Sequence, residues 1–474
     1  MAKDYDAVII GSGSNGLSAA IRLQQKGLKT LILEHSSTLG GSTKTEERTL
    51  PGFKHDVGSS ILPLGLASPY LSTLPLEKYG LQWIFPEIPF SHPFEDGSAI
   101  ACYKDIYQTA DQLDQDKDGY LRLFKPLVKE WDHLDQDLLG PLGWPQKPLE
   151  FVKFGLKALP SAAMIADHYF NNNRTKAFFY GAAAHSTLPL HSLISSSFGL
   201  VLTTLAHNYG WPFPKGGAGN FIQALVGYYE SLGGQIERNS TVTDYAKLPT
   251  SKAYLFDITP KQLLNIKGLD LSWLYKKRLK GFKYGAGVFK MDWALKEPIP
   301  FLNEKCRKSG TVHLGFSKQE MENSEKGIHK GNMTDTPYVL VAQHSLFDDT
   351  RAPEGMHTAW AYCHVPSGST HDYTELIERQ IERAAPGFRD IILKRSIMNT
   401  EQLQTFNPNI IAGDINGGKQ DITQLFTRPI AKISPYKTAD PKVYLCSSST
   451  PPGGGVHGMC GFHAAEQAIK DHFS

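Results

Sequence analysis

The sequence predicts an α/β chain. A Rossmann-type domain is assembled from separated segments, and a substrate domain of antiparallel or mixed sheet with a helical cap is inserted between them. Three observations predict it. A strand, a glycine-rich turn, a helix and a second strand fill the first 34 residues. A similar texture returns around Gly233, and the chain closes on a strand, a glycine-dense turn and a helix. The expected boundaries are 1–74, 207–283 and 420–474 for the cofactor domain, 75–206 for the helical cap and 284–419 for the substrate-domain sheet. A chain of 474 residues suits two or three such domains.

Residues 5–10 form an apolar run that stops at glycine, the pattern of a buried strand. Residues 16–26 carry Leu17, Ala20, Ile21 and Leu23 at helical spacing and end before Gly27, a good C-cap. Residues 29–34 form a second buried strand, which completes a βαβ unit. From about 75 to 205 the pattern is helical, with Pro-rich interruptions near 86–93 and 141–148. Strand-like runs follow at 235–237 and 253–257, and alternating stretches at 287–295, 338–344 and 356–365 suggest antiparallel pairing. A last strand, 443–446, runs into Pro451-Pro452-Gly453-Gly454-Gly455 and a helix from about Phe462.

The 49 basic and 47 acidic residues leave a net charge of +2 with no run of like charge, which argues against nucleic acid as a partner. The five cysteines are scattered and never spaced CxxC, so neither a disulfide framework nor a zinc site is expected, and a reducing compartment is. Met1-Ala2-Lys3-Asp4 leads straight into the first strand without an export-signal pattern. The apolar stretch 193–206 is shorter than the ~20 residues a bilayer span needs. The expectation is a cytoplasmic chain, soluble or peripheral to a membrane.

Gly11-Ser12-Gly13-Ser14-Asn15-Gly16 fits GxGxxG between strand and helix. The first glycine permits the turn, the second lets the backbone approach a pyrophosphate, and the third allows close helix–strand packing. The helix N-terminus then offers N–H groups and a positive dipole end to phosphates. Glu34 closes the second strand, where an acid accepts from ribose hydroxyls. Leu39-Gly40-Gly41-Ser42 allows another close approach of backbone to ligand. Residues 451–461, PPGGGVHGMCG, place a second glycine-rich helix start where a reduced flavin ring gathers negative charge. Nicotinamide has no need of that second start, so FAD, bound non-covalently, is the expected cofactor.

These motifs resemble those of the phytoene desaturase-related flavoproteins. The matching segments are 8–20, 34–41, His55-Asp56-Val57-Gly58, 211–225 (WPFPKGGAGNFIQAL), Gly413-Asp414-Ile415-Asn416-Gly417-Gly418 and 444–465. The resemblance implies that Gly11, Gly13, Gly16, Glu34 and Gly41 hold the ADP half of FAD, with Ser12, Asn15, His35, Gly40, Ser42 and Lys44 beside them. It implies that Lys215, Gly216 and Gly217 line the site and that Val242 meets the adenine through its backbone. Gly454, Gly455, His457, Gly458 and Met459 would sit near the isoalloxazine. The chain departs from the family at Ser42, where relatives carry a basic residue, and at Ser447, where they carry glycine.

The resemblance implies dehydrogenation or saturation of an apolar, isoprenoid- or lipid-like molecule, with oxygen or a quinone as electron acceptor. The substrate would enter between 150–206, whose Phe151, Phe154, Leu156, Leu159, Met164 and Ile165 form an apolar surface, and the inserted sheet. Two alternatives share this architecture: a flavin amine oxidase, and a non-catalytic lipid-binding escort protein. No catalytic side chain is assigned, and His457 is the one candidate. No metal is expected: the EF-hand-like run from Asp114 to Gly119 has Lys125 where a bidentate Glu belongs, and His185, His191 and His207 lack ligand spacing.

Overall fold

The computed structural model describes residues 5–474, so the reading of Met1 to Asp4 lies outside the described residues. Five short strands form a parallel sheet in the order Val443–Leu445, Ala253–Phe256, Ala7–Ile10 (β1), Thr30–Leu33 (β2) and Gln235–Glu237. On one face Ala7, Ile9, Ile32 and Leu255 pack beneath the helices Ser14–Gln24 (α1), Ala218–Ser231 and Met459–His472. On the other, Val8, Ile10, Leu31 and Phe256 meet Leu263, Leu271 and Leu279. Because both faces are covered, these strands read as unbroken apolar runs rather than alternating ones.

The second sheet has seven strands in the order Ile392–Met398, Gly287–Leu295, His357–Val365, Val339–Ala342, Ser309–Leu314, Ile88–Pro93 and Ala99–Cys102. One face sends Phe289, Met291, Trp293 and Val341 into a core with Ile377 and Ile381. The opposite face turns Val288, Leu340, Trp360 and Tyr362 toward the helices Lys117–Leu138, Asn173–Ala183 and Ser195–Asn208.

Two expected boundaries shift. Residues 75–206 are not helical from the outset, because Ile88–Pro93 and Ala99–Cys102 belong to the second sheet. Pro89 and Pro93 disguise the first of these strands, since proline seldom occupies a sheet interior. In the other direction, Asn407, Asn409 and Asn416 leave the substrate-domain sheet and return to the cofactor side.

The Asp114–Asp116 turn does not form an ion loop. The Asp116 carboxylate accepts from the N–H groups of Asn171 and Asn172 at 2.7 and 2.9 Å. All five cysteines are free and buried, and burial raises their thiols, Cys306 and Cys460 to about 11.

α1 and the C-terminal helix approach so closely that a Cβ at Gly461 would lie 1.8 Å from the Asn15 carbonyl oxygen. Gly461→Ala is therefore expected to destabilise the protein by about 1–3 kcal/mol through overpacking. Urea denaturation of variant and parent checks it, and an unchanged midpoint would remove the glycine's packing role.

Candidate functional site

β1 ends at Gly11, whose φ of +102° suits glycine and turns the chain into α1. A Cβ at Gly16 would stand 2.2 Å from the Gly11 oxygen, and one at Gly13 would stand 2.6 Å from Asp257 Oδ2. Gly13 at the N-cap has no side chain to cap α1 and no acid lies within its first turn, so apart from the Gly16 N–H the helix start presents its positive end to the cavity beside it. The Gly16 N–H donates to Asp257 Oδ2 at 2.9 Å. Asp257 follows the strand Ala253–Phe256. Burial, reinforced by the nearby Glu34 charge and opposed by the Gly16 hydrogen bond, raises its carboxyl to about 7. Sequence reading missed this residue. Its signal was positional: it sits at the carboxyl end of a parallel strand, where ligands gather in open α/β sheets.

Glu34, at the end of β2, accepts from the Ser12 N–H and hydroxyl at 2.9 and 2.6 Å and from the Ser36 N–H at 2.8 Å. It ties the first glycine turn to the loop after β2. Lys44 donates to Ser36 Oγ at 3.3 Å, and burial lowers its ammonium while Glu34 and Glu46 partly restore it. His35 meets Thr241 Oγ1 at 2.6 Å, which holds the strand end against Val242 and its neighbours.

A cavity of about 600 Å³ runs along these groups, within the usual range for ligand sites. Of the sequence-predicted residues it is lined by Gly11, Ser12, Gly13, Asn15, Glu34, His35, Gly40, Gly41, Ser42, Lys44, Val242 and Gly455. Asp257, Asn407, Asn416 and Ser447–Ser449 join them without having been foreseen as a set. At the departure from family pattern, the Ser447 hydroxyl donates to the Ile258 carbonyl at 2.7 Å.

Gly216 and Gly217 stand behind the cavity wall rather than in it. They let the helix Ala218–Ser231 begin against a buried ion pair, since a Cβ at Gly217 would meet Thr45 Oγ1 at 2.3 Å. The pair is Asp56 and Arg351, 2.9 Å apart. Asp56 also accepts from Thr45, Ser60 and the Ala218 N–H. Burial alone would raise the Asp56 carboxyl, but Arg351, His344 and these hydrogen bonds bring it to about 2.

Gly454, His457, Gly458 and Met459 likewise lie outside the lining. His457 is buried, accepts from the Met459 N–H at 3.0 Å and is pushed down to about 4 by burial, so it shapes the helix start as a neutral ring. Gly458, at φ +68°, is the residue from which that helix begins. The buried Cys460 thiol lies within hydrogen-bond reach of the carbonyls of Thr450 and Gly453 and is not among the residues that line the cavity.

The far end of the cavity reaches the second sheet at Val288, Lys290, Thr311, Leu340, Trp360 and Tyr362, and the helical layer at His185, Leu202 and Trp211. The residues present fit a dinucleotide flavin. The glycine turn, packed too closely on Asp257 and on itself to admit a Cβ, brings bare backbone and the start of α1 to the cavity, which is bordered by hydroxyls and amides and continues from the acid of β2 to Gly455.

Fold and site define an FAD-dependent oxidoreductase built on a Rossmann-type domain. Full-length similarity makes the chain a homologue of the phytoene desaturase-like FAD oxidoreductases. The family description "NAD(P)-binding Rossmann-like domain" matches residues 9–74. The chain is 26% identical to pyridine nucleotide-disulfide oxidoreductase domain-containing protein 2 of Rattus norvegicus, over 99% of this chain and 94% of that protein. It is 24% identical to the lycopene-forming phytoene desaturase of a Paracoccus species, over 96% and 95%. The solved structure of putrescine oxidase bound to putrescine has the same fold, with a TM-score of 0.63 at 15% identity over 99% of both chains.

Two outcomes follow from this geometry. Glu34→Ala removes charge-assisted hydrogen bonds of about 1.5–3 kcal/mol, and FAD titration of the apoprotein should show affinity lowered roughly 10- to 100-fold. An unchanged affinity would place the ribose contact elsewhere. Asp257 has a folded pKa raised above its ordinary 3.8. The stability it lends is thus complete below about pH 4 and is lost as pH rises through about 7. Asp257→Asn should flatten that slope in the apoprotein, gaining up to about 4 kcal/mol on the parent at pH 8, about 1.6 kcal/mol at pH 5 and little below pH 4. Parallel denaturation curves across this range would show that Asp257 does not titrate there.

Proposed function

We propose that the protein dehydrogenates or saturates a carbon–carbon bond of an apolar, isoprenoid- or lipid-like substrate. The observation that carries this reading is the wall of the chamber beyond the glycine turns: Val57, Ile61, Leu62, Leu64, Leu202, Trp211, Val288 and Leu340. FAD, when bound, supplies the two-electron chemistry. The chain's own residues exclude water from the chamber and hold an apolar substrate against its walls.

A second reading, amine oxidation, draws on the fold shared with putrescine oxidase. The chamber speaks against it, because its sheet end offers an amine no free carboxylate: Lys290 stands there, already paired with Asp292. A lipid-binding escort has no use for the glycine cradle around α1. We assign electron acceptance to oxygen or a quinone, since one glycine turn of the dinucleotide type is legible in the sequence.

The substrate is proposed to arrive from a membrane surface. No helix among the described residues is long and apolar enough to cross a bilayer. The helix Pro148–Ala158 nevertheless turns Leu149, Val152 and Leu156 outward, next to Trp144, Leu159, Met164 and Leu193, with Trp144 90% and Leu156 71% exposed. Lys147 and Lys153 flank the patch, paired with Glu130 and Glu150 at 3.8 and 2.8 Å, so that its outward face is apolar with charges at the margin, the arrangement of an interfacial helix. Phe154 and Ile165, expected on the same entry surface, are instead buried in the core. The helix is apolar on two sides, and periodicity could not separate them.

Two measurements test this. Anaerobic holoenzyme should lose flavin colour with solubilised isoprenoid or lipid substrates and keep it with an amine panel and with NADH or NADPH. Bleaching by amines would establish the second reading, and fast bleaching by NADPH would displace the proposed acceptor. A double variant, Val152→Asp with Leu156→Asp, should lower co-sedimentation with anionic liposomes at least ~10-fold, as expected from two apolar side chains of about 1.5–3 kcal/mol each, while FAD content stays unchanged. Undiminished sedimentation would end the membrane-delivery proposal.

A further inference from the structure

The helix Trp273–Lys280 and the turn after it expose Lys276, Lys277, Arg278, Lys280 and Lys283, and no acid occurs between Asp270 and the buried Asp292. Sequence reading passed over this short run because the chain as a whole is nearly neutral. The neighbouring cations that find carboxylates are Lys290, with Asp292, and Lys419, with Asp421. Among the described residues none of the five forms such a pair. A helix C-terminus favours a cation near its last carbonyls, but five unpaired ones so close together repel one another.

Apolar side chains stand among them. Trp273 is 73% exposed and Leu274 half exposed, at the start of the same helix. Lys277 Nζ lies 5.1 Å over the Trp273 ring. Tyr275 and Leu279 turn inward to the core of the parallel sheet, so packing of the helix does not call for Trp273 or Leu274. Lys432 Nζ comes within 5.8 Å of the Tyr275 ring, which sets the fully exposed Ile433 at the edge of this face.

The face adjoins the chamber. The Lys283 N–H donates to Gln424 Oε1 and the Lys283 carbonyl accepts from the Lys419 N–H, both at 2.9 Å. The loop held in this way carries Ile415, an exposed residue that lines the cavity. Next to it Asn416 Nδ2 donates to Thr187 Oγ1 at 3.2 Å, a few residues before the exposed Leu193 of the apolar patch.

We propose that this face docks on the headgroups of an anionic lipid leaflet. The proposal rests on the membrane-delivery reading above and adds the charge of the lipid, which the helix Pro148–Ala158, with its lysines paired, does not select. Lipid phosphates neutralise the ammonium and guanidinium groups, and the interface takes up the protruding Trp273, Leu274 and Ile433. A soluble acidic partner would match the cations but leave these isolated apolar side chains without a purpose.

The test is co-sedimentation of the holoenzyme with vesicles of phosphatidylcholine alone and of phosphatidylcholine mixed with phosphatidylglycerol. The mixed vesicles should bind at least ~30-fold more tightly at low salt, with the gap closing as salt rises. A triple variant, Lys276→Gln with Lys277→Gln and Arg278→Gln, should cut binding to the mixed vesicles at least ~10-fold, since each cation contributes about a factor of five. FAD content and binding to phosphatidylcholine should hold. Val152→Asp with Leu156→Asp should instead weaken both vesicle types and keep their ratio. A ratio kept while that double variant sediments undiminished would support the anionic face and end delivery through Pro148–Ala158. A parent ratio near one, or a ratio unchanged in the triple variant, would overturn the proposal, and the loss caused by the double variant would still report on delivery. Soluble polyglutamate or duplex DNA held as tightly as the mixed vesicles would assign the face to a soluble partner and overturn it too.

Discussion

The buried ion pair between Asp56 and Arg351 is the constraint on which the arrangement of the molecule depends. Asp56 belongs to the first segment of the cofactor domain and Arg351 to the substrate-domain stretch, 295 residues further along the chain. The same carboxylate starts the helix Ala218–Ser231 and fixes Ser60. One desolvated charge thus joins three chain segments and holds residues 57–60 where they border the cavity. Unpairing such a group strands a charge away from water, which costs about 3–5 kcal/mol. The two domains are for that reason held in register at the cavity.

The pieces legible in the sequence were those governed by local rules. β1, α1 and β2 announced themselves because glycine geometry and apolar periodicity act within a few residues. Ala253–Phe256 and Val443–Leu445 were visible as runs covered on both faces. What stayed hidden depends on partners far along the chain. Asp257 matters because it meets Gly16, 241 residues away, and nothing around it in the sequence says so. Gly216 and Gly217 were assigned to the cofactor through the family resemblance, whereas the close approach that Gly217 permits in the structure is to Thr45 and Asp56. Ile88–Pro93 was lost because proline is a local signal against a strand, and tertiary pairing overrode it.

The two sheets divide the labour. The parallel sheet presents backbone, glycine and a helix start to a nucleotide, chemistry that tolerates little side-chain variation. The second sheet presents side chains in register across four strands, where single substitutions can change what fits. The cofactor brings a reactivity common to many flavoproteins. Choice of substrate is therefore concentrated on the inward face of Gly287–Leu295, His357–Val365, Val339–Ala342 and Ser309–Leu314, and fold likeness to an amine oxidase says little about it.

The burial of all five cysteines takes on a chemical meaning if oxygen receives the electrons. Peroxide would then arise within the protein itself. Thiolates are the form it attacks, and a thiol held protonated in an apolar surround is a poor target. Cys446 and Cys460 lie beside the serine and glycine turns of the cavity, with thiols raised by burial. The same packing that builds the core would then shelter the catalyst from its own by-product and extend its working life over many turnovers.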